Sequence, residues 1–144
     1  MPTAQTVLDR KGTSVATVDH AATVLDAARI MNEQRIGALV VTNEDRVVGI
    51  FTERDILNRV VAGARPPDQT PVSDVMTSPM ACCHRTTKLA ECRAVMTDKR
   101  IRHLPVVEDG TLYGMISSGD ILASESDDQR ATIEYLHEYL NGHR

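Results

Sequence analysis

Two short stretches of the sequence place a hydroxyl residue and a carboxylate at a spacing that could bind an anion or a sugar. They are residues 49–55 (GIFTERD) and residues 114–120 (GMISSGD), and they lie 65 positions apart. In each stretch an apolar run of strand character ends in a hydroxyl residue, and an aspartate follows three positions later. The two hydroxyl and carboxylate pairs are Thr52 with Asp55 and Ser117 with Asp120.

This pattern supports two interpretations. A hydroxyl and a carboxylate three residues apart fit an acidic capping box, in which both side chains accept hydrogen bonds from backbone N–H groups at the start of a helix. The same helix start offers N–H groups and a hydroxyl to a phosphate, and a carboxylate one turn into the helix can accept two hydrogen bonds from a ribose diol. The pattern therefore predicts either a purely structural helix start or part of a nucleotide site.

The composition is that of an ordinary globular chain of domain size. The 144 residues are 42% hydrophobic and 25% charged, with a formal net charge of −4. That charge argues against a nucleic-acid partner, because proteins that bind nucleic acids usually carry a basic footprint. No apolar run approaches the roughly 20 residues that span a membrane, and residues 1–12 have no apolar stretch of the length a signal peptide needs. We therefore expect a cytoplasmic protein with no membrane partner.

The sequence carries no catalytic motif that we recognise. It has no Walker loop, GxGxxG turn, GxSxG elbow or HExxH motif, so we do not expect an enzyme. Cys82, Cys83, His84 and Cys92 offer a metal or thiol site as an alternative. Adjacent strand residues point to opposite faces, however, and Cys92 falls on the apolar face of a predicted helix. We expect reduced, buried thiols and no metal.

Hydrophobic periodicity predicts the order β-α-β-β-α in the first repeat, residues 1–64. A turn of helix is expected within residues 1–14. Thr23 is the N-cap of an amphipathic helix that continues to about Gln34, since Asp26 follows three residues later. The other predicted elements are strands at 15–18, 38–41 and 47–51, a turn at 43–45 and a helix at 53–61.

The same order restarts after a linker. Residues 65–71 carry three prolines and can continue neither a helix nor a central strand. The second repeat, residues 72–125, is predicted to contain a helical turn at 72–76, strands at 80–83, 104–107 and 112–116, a helix around 89–96 and another opening at Ile121. The offset of 65 holds without a gap from Val7 and Val72 to Leu57 and Leu122. Two α/β units that each leave an apolar face open should stack on one another.

Residues 126–144 have no counterpart in the repeat. Ile133, Leu136 and Leu140 recur at helical spacing, and Asn141-Gly142 is a stop signal. We predict an added amphipathic helix that packs on the body of the protein or contributes to a dimer.

The tandem arrangement resembles the cystathionine-β-synthase (CBS) domain pair, or Bateman module, of the freestanding bacterial type. Two motifs of the form Gly-φ-φ-[Ser/Thr]-x-x-Asp in fixed register carry this resemblance, which extends over about residues 5–125. It implies two small three-stranded sheets packed as a pseudo-twofold pair, two clefts between the halves and a homodimer. It also implies a regulatory ligand that contains adenosine, namely AMP, ADP, ATP, NAD or S-adenosylmethionine.

The resemblance also implies roles for particular residues. Asp55 and Asp120 would bind ribose, while the hydroxyls of Thr52 and Ser117 would face phosphate. The remaining implied contacts come from positions that the repeat relates in pairs. They are Arg54 and Gly119 beside the phosphates, Arg102 and His103 near a phosphate, Gly37 and Ala38 against adenine, and Ala16 and Ala81 lining the base.

We therefore expect a nucleotide sensor that changes its dimer geometry or its affinity for a regulated protein partner, which the sequence does not identify. A ligand-free dimerisation or interaction scaffold of the same fold is the alternative.

Overall fold

The computed structural model describes residues 1–125, so the predicted helix over 126–144 lies outside the described residues. Within 1–125, no helix has both the length and the apolar character needed to cross a membrane. The first repeat contains α1 (Ala4–Lys11), β1 (Thr17–Asp19), α2 (Val24–Gln34), β2 (Ala38–Asn43), β3 (Arg46–Thr52) and α3 (Glu53–Asp55), which continues as a π-helix (Ile56–Val61). The second contains α4 (Val72–Val75), α5 (Leu89–Lys99), β4 (His103–Glu108), β5 (Thr111–Ser117) and α6 (Ser118–Glu125).

The first repeat confirms the predicted order of strands and helices. Its sheet has the order β1-β2-β3, with β1 parallel to β2 and β2 antiparallel to β3. Thr23 caps α2 as predicted, because its side chain accepts a hydrogen bond from Asp26 N at 3.1 Å. Glu44 and Asp45 have φ angles of 50° and 67°, and a two-residue turn with both φ angles positive suits the twist of a hairpin.

The second repeat departs from the prediction in its sheet. The predicted strand at 80–83 is wrong: β4 and β5 form a two-stranded sheet, and only Cys83 joins it, through a parallel bridge to Val106. Pro79 has no N–H to donate to a ladder. Thr77 instead pairs with Ile50 at the edge of β3, through N–O distances of 3.1 and 2.8 Å. The segment that should have extended the second sheet is thus partly held by the first.

The helix predicted over 53–61 is present but changes type. After Asp55 the turns widen, and Ala62 N donates to Leu57 O, five residues earlier, at 3.0 Å. This wider winding is a π-helix, which is rare and usually limited to short segments. It places Arg59 so that its Nη1 donates to Met76 O at 2.7 Å. The helix is therefore tied to the segment that enters the second repeat.

Each repeat takes its first helix from the other half of the sequence. Val7 and Leu8 of α1 are buried in the core of the second repeat, together with Leu104 and Ile116. Val72 and Val75 of α4 are buried in the core of the first repeat. A fully buried Val or Leu stabilises by about 1.5–3 kcal/mol. The two halves therefore pack together, as expected, but they do so by exchanging their first helices. The repeat pattern did not predict this exchange.

Candidate functional site

The first motif forms the capping box that its spacing predicts. Thr52 N donates to Asp55 Oδ2 at 3.0 Å, and Asp55 N donates to Thr52 Oγ1 at 3.3 Å. Thr52 also donates its own hydroxyl to Asp55 Oδ2, at 3.2 Å. Asp55 is only 5% exposed. The structural interpretation of this motif is therefore confirmed, and any ligand must share Asp55 with the helix start.

The second oxygen of Asp55 is held by the other half of the chain. Oδ1 accepts a hydrogen bond from Thr77 Oγ1 at 3.0 Å, and Arg59 Nε lies 3.7 Å from it. Thr77 reaches this place because its backbone pairs with Ile50 of β3. A neutral hydroxyl thus occupies the position on Asp55 at which a ribose hydroxyl could donate.

The second motif has the same capping box but a different external partner. Ser117 N donates to Asp120 Oδ2 at 2.8 Å, and Asp120 N donates to Ser117 Oγ at 3.1 Å. Lys11 Nζ, from the exchanged helix α1, lies 2.9 Å from Asp120 Oδ2 and donates to Met115 O at 3.0 Å. Burial would raise the pKa of Asp120, but the hydrogen bonds from Lys11 and Ser117 outweigh it and lower that pKa. An internal cation therefore neutralises this carboxylate.

The charged contact of Asp120 predicts a pH-dependent contribution to stability. Its folded-state pKa is lowered, so the stabilisation is complete above the unfolded pKa of about 3.9 and is lost as pH falls through the lower folded value. Asp120→Asn should lower the free energy of unfolding by about 1–2 kcal/mol at pH 7. Urea unfolding at pH 7 to 2.5 should show this difference shrink below pH 4. The exposed Asp98→Asn serves as the control, and an Asp120→Asn difference that stays constant with pH would contradict the expectation.

A cavity of about 680 Å³ lies at the first motif and is lined by both repeats. Its volume falls within the range of about 300–1,000 Å³ typical of small-molecule sites. Seven of the twelve predicted site residues line it, and they come from four separate parts of the chain. These seven are Gly37, Thr52, Arg54, Asp55, Ala81, Arg102 and His103.

Four cations lie along one edge of this cavity: Lys99, Arg100, Arg102 and Arg54, which we call the basic edge. Arg54 Nη1 donates to Arg100 O at 2.6 Å and so ties the start of α3 to the end of α5. Within residues 1–125, the side chains of Lys99, Arg100 and Arg102 form no ion pair. Such unpaired cations beside a cavity favour an anionic occupant.

His103 lies between the two motifs. Burial lowers its pKa, and nearby Lys11 and Arg102 lower it further, against the opposite effects of Glu53 and Asp120. The imidazole is therefore neutral at pH 7. A neutral imidazole can donate one hydrogen bond and accept another, so His103 supplies recognition rather than charge on this wall of the cavity.

The other five predicted site residues do not line this cavity. Ala38 is buried and pairs with Thr52 across β2 and β3, and Ala16 O accepts from Val40 N at 3.2 Å. Ala38 and Ala16 therefore make backbone contacts in and beside the first sheet. The remaining three belong to the second motif: Ser117, Gly119 and Asp120.

Several residues of the site were missed by sequence reasoning. Lys11 carried no signal, because its counterpart at the offset of 65 is Met76 and the segment around it is polar. Thr77 matches Gly12, so comparing the repeats could not reveal its hydroxyl either. Arg100 could have been found, since Arg35 and Arg100 are a matched pair next to Ile36 and Ile101.

The cysteines occupy structural positions. Cys82 is exposed, while Cys83 and Cys92 are buried in the core of the second repeat. A hydrogen bond with Cys92 and burial raise the pKa of Cys83, so this thiol stays protonated. Among residues 1–125 there is no group of three or more His, Cys, Asp or Glu side chains that could hold a metal ion.

Comparison with known proteins adds the family. A model described as CBS domain matches residues 11–62 and again residues 72–127. YhcV of Bacillus subtilis is 33% identical over 125 residues, which cover 87% of this chain and 89% of that protein. The mitochondrial protein CBSX3 of Arabidopsis thaliana is 36% identical over 83% of this chain, which spans 61% of that relative's length. A solved CBS-domain structure from Burkholderia ambifaria has a TM-score of 0.84 at 39% identity, covering 88% of this chain and 96% of that one.

Proposed function

Because the chain belongs to the CBS-domain family, we propose that it is a regulatory module that binds an adenosine-containing ligand in the cavity between its repeats. The observation that carries this proposal is the cavity itself, which brings a buried carboxylate and a basic edge from different repeats to one space. A carboxylate suits a ribose diol, and the basic edge suits phosphate. AMP, ADP, ATP and NAD each present both groups.

The ligand would contact the two repeats together. Asp55 would accept hydrogen bonds from the ribose, replacing the hydroxyl of Thr77, while Gly37 and Ala81, which line the same cavity, would lie against the base. A ligand shifts the packing of two halves only by its difference in affinity for their arrangements. We propose that this shift, rather than catalysis, is the output, read by a regulated protein in the cytoplasm.

We propose that one ligand binds per chain, at Asp55. A ribose hydroxyl that displaces the Thr77 hydroxyl from Asp55 replaces one neutral donor by another, whereas displacing Lys11 from Asp120 separates an ion pair. Lys11→Met, which copies the matched Met76 of the other half, should therefore raise the AMP stoichiometry from one to two per chain. Calorimetric titration measures this directly, with the exposed Lys88→Met as the control. A stoichiometry of two in the unmodified protein would contradict the expectation.

We also propose that the protein is a homodimer. Leu57 and Val61 are 62% and 66% exposed on the π-helix, and Leu122, the counterpart of Leu57 in the second repeat, is 65% exposed. Exposed large apolar side chains suit an isologous contact between two copies of the chain, in which the same surface of each copy meets the other. Light scattering should give twice the chain mass, and Leu57→Lys with Val61→Lys should give the monomer. A monomeric unmodified protein would contradict this.

Calorimetric titration with AMP, ATP, NAD and S-adenosylmethionine tests the ligand class. Binding of at least one of them at micromolar concentration is expected, and no binding below about 1 mM, equivalent to about −4 kcal/mol, would overturn the proposal.

A ligand-free scaffold is the second candidate function. It is favoured because both motif carboxylates already have partners within the protein: Asp55 accepts a hydrogen bond from Thr77, and Asp120 pairs with Lys11. A scaffold predicts a melting temperature that rises with protein concentration and does not respond to nucleotides.

A further inference from the structure

One acidic side chain of the cavity between the repeats is not engaged by the protein. Glu53 lines this cavity from the first turn of α3. Its carboxylate forms neither a hydrogen bond nor an ion pair with another residue of 1–125. The carboxylate of Asp55 in the same cavity is held by Thr52 and Thr77. Glu53 therefore offers two acceptor oxygens to a molecule that enters the cavity.

The Glu53 carboxylate lies against Gly37, together with an imidazole from the other repeat. A Cβ added at Gly37 would lie 2.7 Å from Glu53 Oε1 and 3.6 Å from His103 Cε1. The two side chains thus approach the same point, and a larger residue at position 37 would displace the carboxylate. We call these three residues, Gly37, Glu53 and His103, the polar corner of the cavity.

The polar corner differs in charge from the basic edge. Its imidazole is neutral at pH 7, because burial lowers the pKa of His103, so the charge of the corner is that of Glu53. A phosphate is attracted to the cations of the basic edge and repelled by a carboxylate. The uncharged base is therefore the part of a nucleotide that can occupy the polar corner.

The polar corner has no counterpart at the positions that the repeat matches to it. The offset of 65 relates its three positions, in chain order, to Arg102, Ser118 and Ala38. Neither the carboxylate nor the imidazole is repeated there. Recognition of a base by these two groups is accordingly available only beside the first motif, which agrees with one ligand per chain.

We propose that Glu53 selects the base of the ligand, a 6-aminopurine in preference to a 6-oxopurine. This inference rests on the proposed function, which places the base against Gly37. The 6-amino group of adenine donates a hydrogen bond to the carboxylate of Glu53, and the neutral imidazole of His103 can donate to a ring nitrogen. The 6-oxo group of hypoxanthine or guanine has no hydrogen to donate and sets a second acceptor against the carboxylate. Polar groups left unpaired in a binding site are costly, so the 6-oxopurine binds more weakly.

Calorimetric titration of the full chain with AMP, IMP and GMP tests this selection. AMP should bind ~10-fold more tightly than IMP. Glu53→Gln should bring the ratio of the two affinities close to one, because an amide can donate to a 6-oxo group as well as accept from a 6-amino group. The ratio is the measured quantity, since a loss of stability or of ribose binding would weaken both nucleotides alike.

Glu91→Gln is the matched control. Glu91 is also exposed and also lies in the first turn of a helix, α5, but it does not line the cavity. Both variants remove a negative charge near a helix N-terminus, so their effects on the melting temperature should be small and similar. Only Glu53→Gln should change the ratio of AMP to IMP affinity. An unchanged ratio in Glu53→Gln would overturn the role of Glu53.

The same titrations separate this inference from the function on which it rests. Equal binding of AMP and IMP by the unmodified protein would overturn the selection by Glu53 and leave the nucleotide site intact. Tighter binding of GMP than of AMP would mean that the carboxylate accepts from N1–H and the 2-amino group of guanine, which would overturn both the selection and the adenosine ligand. Absence of binding by all three nucleotides would overturn the proposed function itself.

Discussion

Asp55→Asn is expected to lower the affinity for AMP at least ~30-fold, which corresponds to about 2 kcal/mol of lost binding energy. An asparagine keeps one acceptor oxygen, so it can still accept from Thr52 N, but it cannot accept two hydrogen bonds from a ribose diol. The loss of one charged contact at this buried position should cost about 1–2 kcal/mol of stability and leave the protein folded. Calorimetry and thermal unfolding of the same sample measure the two effects.

Asp120→Asn is the matched control, because it changes the same motif position in the other repeat. Its affinity for AMP should equal that of the unmodified protein, since Lys11 already occupies Asp120. Loss of AMP binding in both variants would mean that two sites act together. Loss in Asp120→Asn alone would mean that AMP binds at the second motif and not at Asp55. Thr77→Val sharpens the test: removing the hydroxyl that competes for Asp55 should raise the affinity about fivefold, or about 1 kcal/mol.

Gly114→Ala is expected to destabilise the protein by about 2–4 kcal/mol through overpacking. A Cβ at this position would lie 2.4 Å from Leu8 Cδ2. Leu8 is 2% exposed in the core of the second repeat, so its side chain can shift only within a packed core, against its neighbours there. Urea unfolding measures the change, and the exchanged helix α1 is the element that must move.

A double variant shows whether that contact is the cause. Leu8→Ala alone should cost about 2–4 kcal/mol by leaving a cavity, but combined with Gly114→Ala it should cost much less than the sum. Gly119→Ala is the control glycine, because the nearest atom to its added Cβ would be Ser117 Oγ at 3.6 Å. Additive costs in the double variant would mean that α1 does not pack on β5 in solution.

The sequence predicted the fold well where the repeat and local patterns agree. The apolar runs at 38–41 and 104–107 became β2 and β4, and Thr23 capped α2 as its spacing to Asp26 predicts. The two capping boxes also formed as the motif predicts. These features depend on residues close in sequence, so periodicity and spacing are sufficient to find them.

Features that depend on distant residues were not predictable in the same way. The bridge of Lys11 to Asp120 joins residues 109 positions apart, and its counterpart positions carry Met76 and Asp55, which make no such pair. The prediction of a third strand in the second sheet, at 80–83, was wrong, because Thr77 just before it pairs with β3. The repeat offset indicates where equivalent residues lie, but differences between equivalents decide which partner each carboxylate binds, Thr77 for Asp55 and Lys11 for Asp120. Those differences are tertiary contacts, which neither periodicity nor propensity records.

The exchange of first helices has a consequence for synthesis on the ribosome. The first core is not complete until Val72 and Val75 of α4 have been made, so the first repeat cannot finish folding when its own last helix emerges. The delay is longer for α1. Its apolar face, including Leu8, can be buried only after β5 with Gly114 has been translated. Contacts of such long sequence separation close slowly. The amino-terminal helix is thus among the first segments made and among the last to be buried.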